Sequence, residues 1–145
     1  MKKIYIKKLD SKAIIPTYGT PNSAGADLYA LLDSPLNINS GESKIINTGL
    51  AMTIPDGYVG LIYARSSLGT KKGLAPANKV GVIDSDYRGE IKVVLFNHSK
   101  ETQTIEPNDR IAQIVITPYI QGDFEESSEL DETQRGTGGF GSTNQ

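Results

Sequence analysis

The sequence predicts an all-β fold, a jelly-roll-like barrel or sandwich of many short strands, and three features carry that expectation. Fifteen glycines and seven prolines punctuate 145 residues at short intervals. The apolar stretches between them are short, and several alternate or are β-branched, as in IKVVLF and RIAQIVITP. No stretch of twelve or more residues has a helical period. Many short strands with regular turn signals read as a sandwich or barrel.

Strands are expected over residues 4–9, 26–32, 44–54 and 58–64. One helical turn follows in SSLGTKKG, with Ser66 as its N-cap and Gly73 as its stop. Residues 80–97, VGVIDSDYRGEIKVVLFN, read as strand, tight turn, strand, the second arm covering 90–97. The last strand is expected over 110–118. Beyond it the chain is acidic over 123–132 (DFEESSELDE) and then glycine-rich, QRGTGGFGSTNQ. The whole is read as one domain: a β-barrel over residues 1–122, and an acidic tether with a flexible glycine-rich arm over 123–145.

Composition narrows the chemistry. Fifteen Lys and Arg stand against 17 Asp and Glu, so no broad basic face for a nucleic-acid polymer is expected. Cysteine is absent, which removes disulfide and thiolate chemistry. A lone histidine, His98, is too little for a His-based zinc site or a serine triad. The start, MKKIYIKKLD, has lysines with no apolar stretch after them, unlike a signal peptide. No run reaches the length of a membrane span. A soluble cytoplasmic protein is expected.

Each polar motif has a plain reading beside a chemical one. Asp84 follows VGVI where a strand meets its turn. It suits a solvated turn, and equally a carboxylate that holds a water and takes its proton. YARSSLG places Arg65, Ser66 and Ser67 at a helix start, which suits a surface cap or a phosphate. Asp27 in SAGADLYA reads by itself as a turn aspartate. Arg110 and Gln113 are three apart, so on a regular strand they point to opposite faces. The glycine-rich end reads by composition as a frayed terminus. Against that stand Arg135, Phe140, Ser142 and Thr143 within the glycines, residue types that a phosphate-binding flap needs.

Taken in order, SAGADLYA, ARSSLG, GVIDSDYRG, DRIAQIVI and RGTGGFGST resemble the trimeric dUTP diphosphatase (dUTPase) family, from Ser23 to Thr143. The resemblance implies a homotrimer whose active sites are built from all three chains. It implies hydrolysis of dUTP to dUMP and pyrophosphate, which keeps uracil out of DNA and supplies dUMP for thymidylate synthesis. It implies Asp84 as the base for water attack on the α-phosphorus. Mg2+ is implied to be held mainly by the substrate phosphates, with Asp27 reaching it through water. Arg65, Ser66, Ser67 and Gln113 are implied phosphate contacts. The segment 78–92, with Asn78, Gly81, Val82, Ile83 and Lys92, is implied to receive uracil and deoxyribose, largely through backbone groups. Tyr87 is implied to pack under the sugar and exclude a ribose 2′-hydroxyl. The arm is implied to close a neighbour's site, with Arg135 on the γ-phosphate, Phe140 over the uracil ring, and Gly141, Ser142 and Thr143 at the phosphates. Ser67 departs from the glycine usual there, and Asn108 from another, which asks for a left-handed Asn. His98, Arg88 and Asp109 are expected to serve structure.

Two other readings share the motifs. A dCTP deaminase-type relative has a similar Arg-Ser-Ser-Leu run, and Glu90, on an outward strand position, is its nearest candidate acid. A non-catalytic nucleotide-sensing module is the second, and the retained Asp84 and arm argue against it.

Overall fold

The computed structural model describes residues 2–139. The chain is almost wholly β, as expected, and jelly-roll-like. Its strands are β1 (Tyr5–Lys8), β2 (Thr17–Tyr18), β3 (Ala26–Tyr29), β4 (Leu36–Ile38), β5 (Ser43–Asn47), β6 (Leu50–Thr53), β7 (Tyr58–Tyr63), β8 (Leu74–Pro76), β9 (Gly81–Ile83), β10 (Lys92–Asn97), β11 (Gln103–Ile105) and β12 (Arg110–Pro118). One short helix, α1 (Ser66–Lys72), lies between β7 and β8. The largest sheet runs β2-β3-β12-β7-β9, and a second runs β5-β10-β8. Two antiparallel pairs, β1 with β6 and β4 with β11, complete the layers.

The core lies between these sheets. Leu28, Ile38, Ile46, Leu74, Leu95, Ile105 and Ile111 are fully buried in one cluster. Each such side chain contributes about 1.5–3 kcal/mol by leaving water. The buried amide of Asn97 is fully used. Its Nδ2 donates to Ile38 O (2.8 Å) and Glu101 O (2.7 Å), and its Oδ1 accepts from Ser99 N (2.9 Å) and Ser99 Oγ (2.7 Å). A buried polar group so satisfied ties three segments together without a desolvation penalty.

Several local expectations are corrected. The stretch 44–54 is two strands, because the chain turns at Gly49, whose φ of 68° suits glycine. Ser66 does not cap the helix. Arg65 occupies that position in extended conformation, with no side-chain cap bond, and Ser66 is already the first helical residue. The helix does stop at Gly73, left-handed at φ 64°. Asn108 takes the expected left-handed conformation, φ 67°.

The segment 80–97 is not a paired hairpin. β9 pairs with β7, whereas β10 pairs with β5 and β8, so its two arms belong to different sheets. Glu90 precedes β10 instead of lying on it, and its side chain turns inward. Finally, a register shift between Arg110 and Ala112 breaks the alternation of β12. Beyond β12, residues 119–139 carry no strand or helix, and Ile120, Phe124 and Leu130 are exposed. No helix among the described residues is long and apolar enough to cross a membrane.

Candidate active site

β12 is the central strand of the largest sheet, and its register assembles the first half of the site. Gln113 stands opposite Asp27 of β3 on one side and Tyr63 of β7 on the other. The three side chains therefore form a row across one face. Arg65 follows β7 after a single residue, Ala64. Asp27, Arg65, Ser66, Arg110 and Gln113 line a cavity of about 340 Å³, walled by the loop that carries Gly19, Ser23 and Gly25.

Asp27 is only 8% exposed, and both its oxygens are engaged. Arg65 Nε donates to Oδ1 at 2.7 Å, and Arg110 Nη1 approaches Oδ2 at 3.3 Å. Two guanidiniums against one carboxylate leave a surplus positive charge at the wall of a polar cavity. Such a surplus, with Arg's fork of donors, selects for an anion. Arg65 Nη1 also reaches Ser67 Oγ at 3.4 Å. Gln113 is held by a bond from Nε2 to Ala64 O, 2.9 Å. A Cβ on Gly25 would run into the Gln113 side chain, so glycine is required there for the two to sit together.

Arg110 is the residue that sequence reasoning set aside. Period-2 logic places it opposite Gln113. The bulge at Arg110/Ala112 adds a residue and swings both to the same cavity. A turn-forming Asn108–Asp109 just before the strand is the local signal. Asp109 Oδ2 accepts from Glu106 N at 3.0 Å, so its role is in the turn.

The second half of the site is a cleft of about 210 Å³ lined by Val82, Ile83, Asp84, Tyr87, Glu90 and Lys92. It exists because the arms of segment 80–97 diverge into separate sheets. β9 is the outermost strand of its sheet, so one edge of its backbone has no strand partner among the described residues. The turn is closed from within: Tyr87 N donates to Asp84 O (3.2 Å), and Arg88 Nη1 donates to Ser85 O (2.7 Å) and Tyr87 O (2.9 Å). Asp84 is exposed at the cleft. Tyr87 lies over Gly89, where a Cβ would strike the ring, and its hydroxyl donates to Glu90 O at 3.0 Å. Asn78 lies against Gly81 beside the cleft without lining it.

The two cavities of one chain share no lining residue. Arg135 lines neither; its Nε donates to Gly138 O at 2.8 Å in an exposed segment. Phe140, Gly141, Ser142 and Thr143 lie outside the described residues. His98 is exposed, stacks edge-on against Phe96 with centroids 4.5 Å apart, and donates its backbone N–H to Gly73 O, a structural role.

Comparison with known proteins agrees with these features. The dUTPase family model matches residues 11–144. A deoxyuridine 5'-triphosphate nucleotidohydrolase of Nautilia profundicola is 51% identical over 97% of this chain and 98% of its own. The dUTPase of Staphylococcus bacteriophage 80alpha, solved with dUpNHpp, superposes with a TM-score of 0.87 at 27% identity, covering 99% of both chains. A mutant dUTPase of phage phi11 of S. aureus, described with a structural Mg(II) ion, shares the fold at a TM-score of 0.80 and 24% identity, over 90% of this chain and 100% of that one. The chain belongs to the dUTPase family.

Proposed function

We propose that this chain hydrolyses dUTP to dUMP and pyrophosphate, keeping uracil out of DNA and supplying dUMP for thymidylate synthesis. Beside family membership, one observation supports the reading most directly. A cationic cavity with two arginines is paired with a narrow cleft whose wall carries one exposed carboxylate.

In-line displacement at phosphorus needs positioned phosphates, charge neutralisation and an oriented water. Arg65, Arg110, Gln113, Ser66 and Ser67 supply the donors for the phosphates. Asp84, exposed and free of side-chain partners among the described residues, orients the water and takes its proton. Val82, Ile83 and Lys92 offer main-chain groups to the uracil edge, with Gly81 and Asn78 shaping the strand end, and Tyr87 packs under the deoxyribose. Arg135, Phe140, Gly141, Ser142 and Thr143 close over the ligand.

The donor set fits Mg2+ that arrives on the triphosphate. No group of three His, Cys, Asp or Glu side chains able to hold a metal occurs among the described residues. Asp27, its carboxylate already shared by two arginines, would hold the ion through water. A bound ion would supply neutralisation of phosphate charge.

The chain acts as a homotrimer with sites shared between subunits. The separation of the arginine cavity from the Asp84 cleft within one chain supports this, since one triphosphate must span both functions. The partners are dUTP, dUMP and pyrophosphate, with neither a nucleic-acid polymer nor a membrane, and the enzyme is placed in the cytoplasm.

A nucleotide panel of dUTP, dCTP, dTTP and UTP with Mg2+, scored for pyrophosphate, tests the activity. Selective release from dUTP is expected. Ammonia from dCTP would replace this reading with deamination.

A further inference from the structure

Glu90 lines the base cleft, yet the hydrolysis leaves it without a task. Its side chain is 19% exposed and turned away from solvent. Oε1 accepts from the buried Gly49 N–H at 2.9 Å, and Oε2 lies 3.7 Å from Lys92 Nζ. We infer that Glu90 is a positioning residue for sugar discrimination: anchored on Gly49, it fixes Tyr87 and thereby the preference for deoxyribose over ribose. The inference rests on the dUTP reading above, in which Tyr87 packs under the sugar.

The anchor is rigid. Gly49 has φ 68°, and a Cβ there would collide with Leu31 and Ala13. The same turn grips the next residue twice. Ile91 N donates to Leu50 O at 2.7 Å, and Thr48 Oγ1 donates to Ile91 O at 2.6 Å. The Glu90–Ile91 peptide is thus held from both sides, by the Glu90 carboxylate before it and by Ile91 after it. The carbonyl of that peptide is the acceptor for the Tyr87 hydroxyl. With Gly89 beneath the ring, Tyr87 has a floor and a tether, and Glu90 sets the tether. A ring held at two points excludes a 2′-hydroxyl, whereas a loosened ring yields to it.

The test compares kcat/KM for dUTP and UTP in the full-length protein. Glu90→Ala is expected to lower the dUTP/UTP ratio by about tenfold, the scale on which contacting residues couple, mainly through KM. Glu90→Gln keeps the acceptor oxygen and is expected to retain the ratio. Glu90→Asp keeps the charge but shortens the reach, and is expected to behave like Glu90→Ala. Should Glu90→Ala not fold, the Asp and Gln variants decide. The Glu90→Ala/Tyr87→Phe double variant is expected to discriminate no worse than the poorer single one. An unchanged ratio in Glu90→Ala or Glu90→Asp, with a discriminating wild type, overturns the role of Glu90. A wild type that does not prefer dUTP overturns the reading of the cleft instead.

Discussion

Arg110 and Gln113, three positions apart on one strand, line the same cavity because β12 shifts register between Arg110 and Ala112. The bulge converts an alternating strand into a two-pronged cavity wall. Deleting position 111 would remove the extra residue and leave Arg110 and Gln113 two apart, still on one face, whereas straightening the strand with all its residues kept would turn Arg110 away from the wall. Arg110→Ala is expected to raise KM for dUTP by roughly tenfold or more, as the loss of a charge-assisted contact implies, with a smaller effect on kcat. Steady-state kinetics with Mg2+ at saturation checks this.

Asp84 is the one acidic side chain that the cleft exposes without an ion partner among the described residues. Asp84→Asn is expected to reduce turnover by about 10²–10⁴-fold, the range for a positioned general base, while dUTP-analogue binding measured by calorimetry survives. Full turnover would remove Asp84 from the role of base.

Asp27 neutralises part of the charge on Arg65 and Arg110. Asp27→Ala leaves two guanidiniums facing each other across a polar cavity. A loss of about 1–3 kcal/mol in folding stability is expected, less than for a deep ion pair because Arg110 is half exposed. Pyrophosphate should restore more of the melting temperature in this variant than in wild type. Equal shifts would show that the arginines do not face the anion.

Truncation after Gln134 removes Arg135 and the glycines. Turnover is expected to drop sharply, while sedimentation still gives a trimer. Normal turnover in the truncated protein would end the idea of a closing arm, and a monomeric full-length chain would end that of shared sites.

Asn97 is a control for the scaffold. Asn97→Ala orphans the buried Ile38 carbonyl and takes one partner each from Glu101 O, which keeps Ser99 Oγ, and from the Ser99 N–H. A loss of about 1–3 kcal/mol is expected on the scale of unsatisfied buried groups, read by denaturant unfolding, with kcat of the folded fraction near wild type.

Much of this was legible in the sequence because it depends on local pattern. Strand class follows from alternation, the stop of α1 from Gly73, and the left-handed turn at Asn108 from its chemistry. The site motifs were readable as residue types: Arg65 and Gln113 carry donors, and Asp84 a carboxylate, wherever they are placed. What escaped depends on partners far along the chain. β9 and β10 look like one hairpin until β7 and β5 claim them for separate sheets. Arg110 joins Gln113 only through a bulge, which period-2 reading cannot see. Asp27 looked like a turn residue because both of its arginines are distant in sequence, 38 and 83 positions away. Glu90 looked outward because its anchor, Gly49, lies 41 positions earlier.

The carboxylate set between two arginines also bears on how a reaction cycle ends. Guanidiniums with nothing to return to would grip a departing anion as firmly as an arriving one. If pyrophosphate leaves from this cavity, as the proposed hydrolysis has it, Asp27 would offer Arg65 and Arg110 a resting partner that competes with the product for the same donors. Such a site would give up some affinity for a way to empty itself.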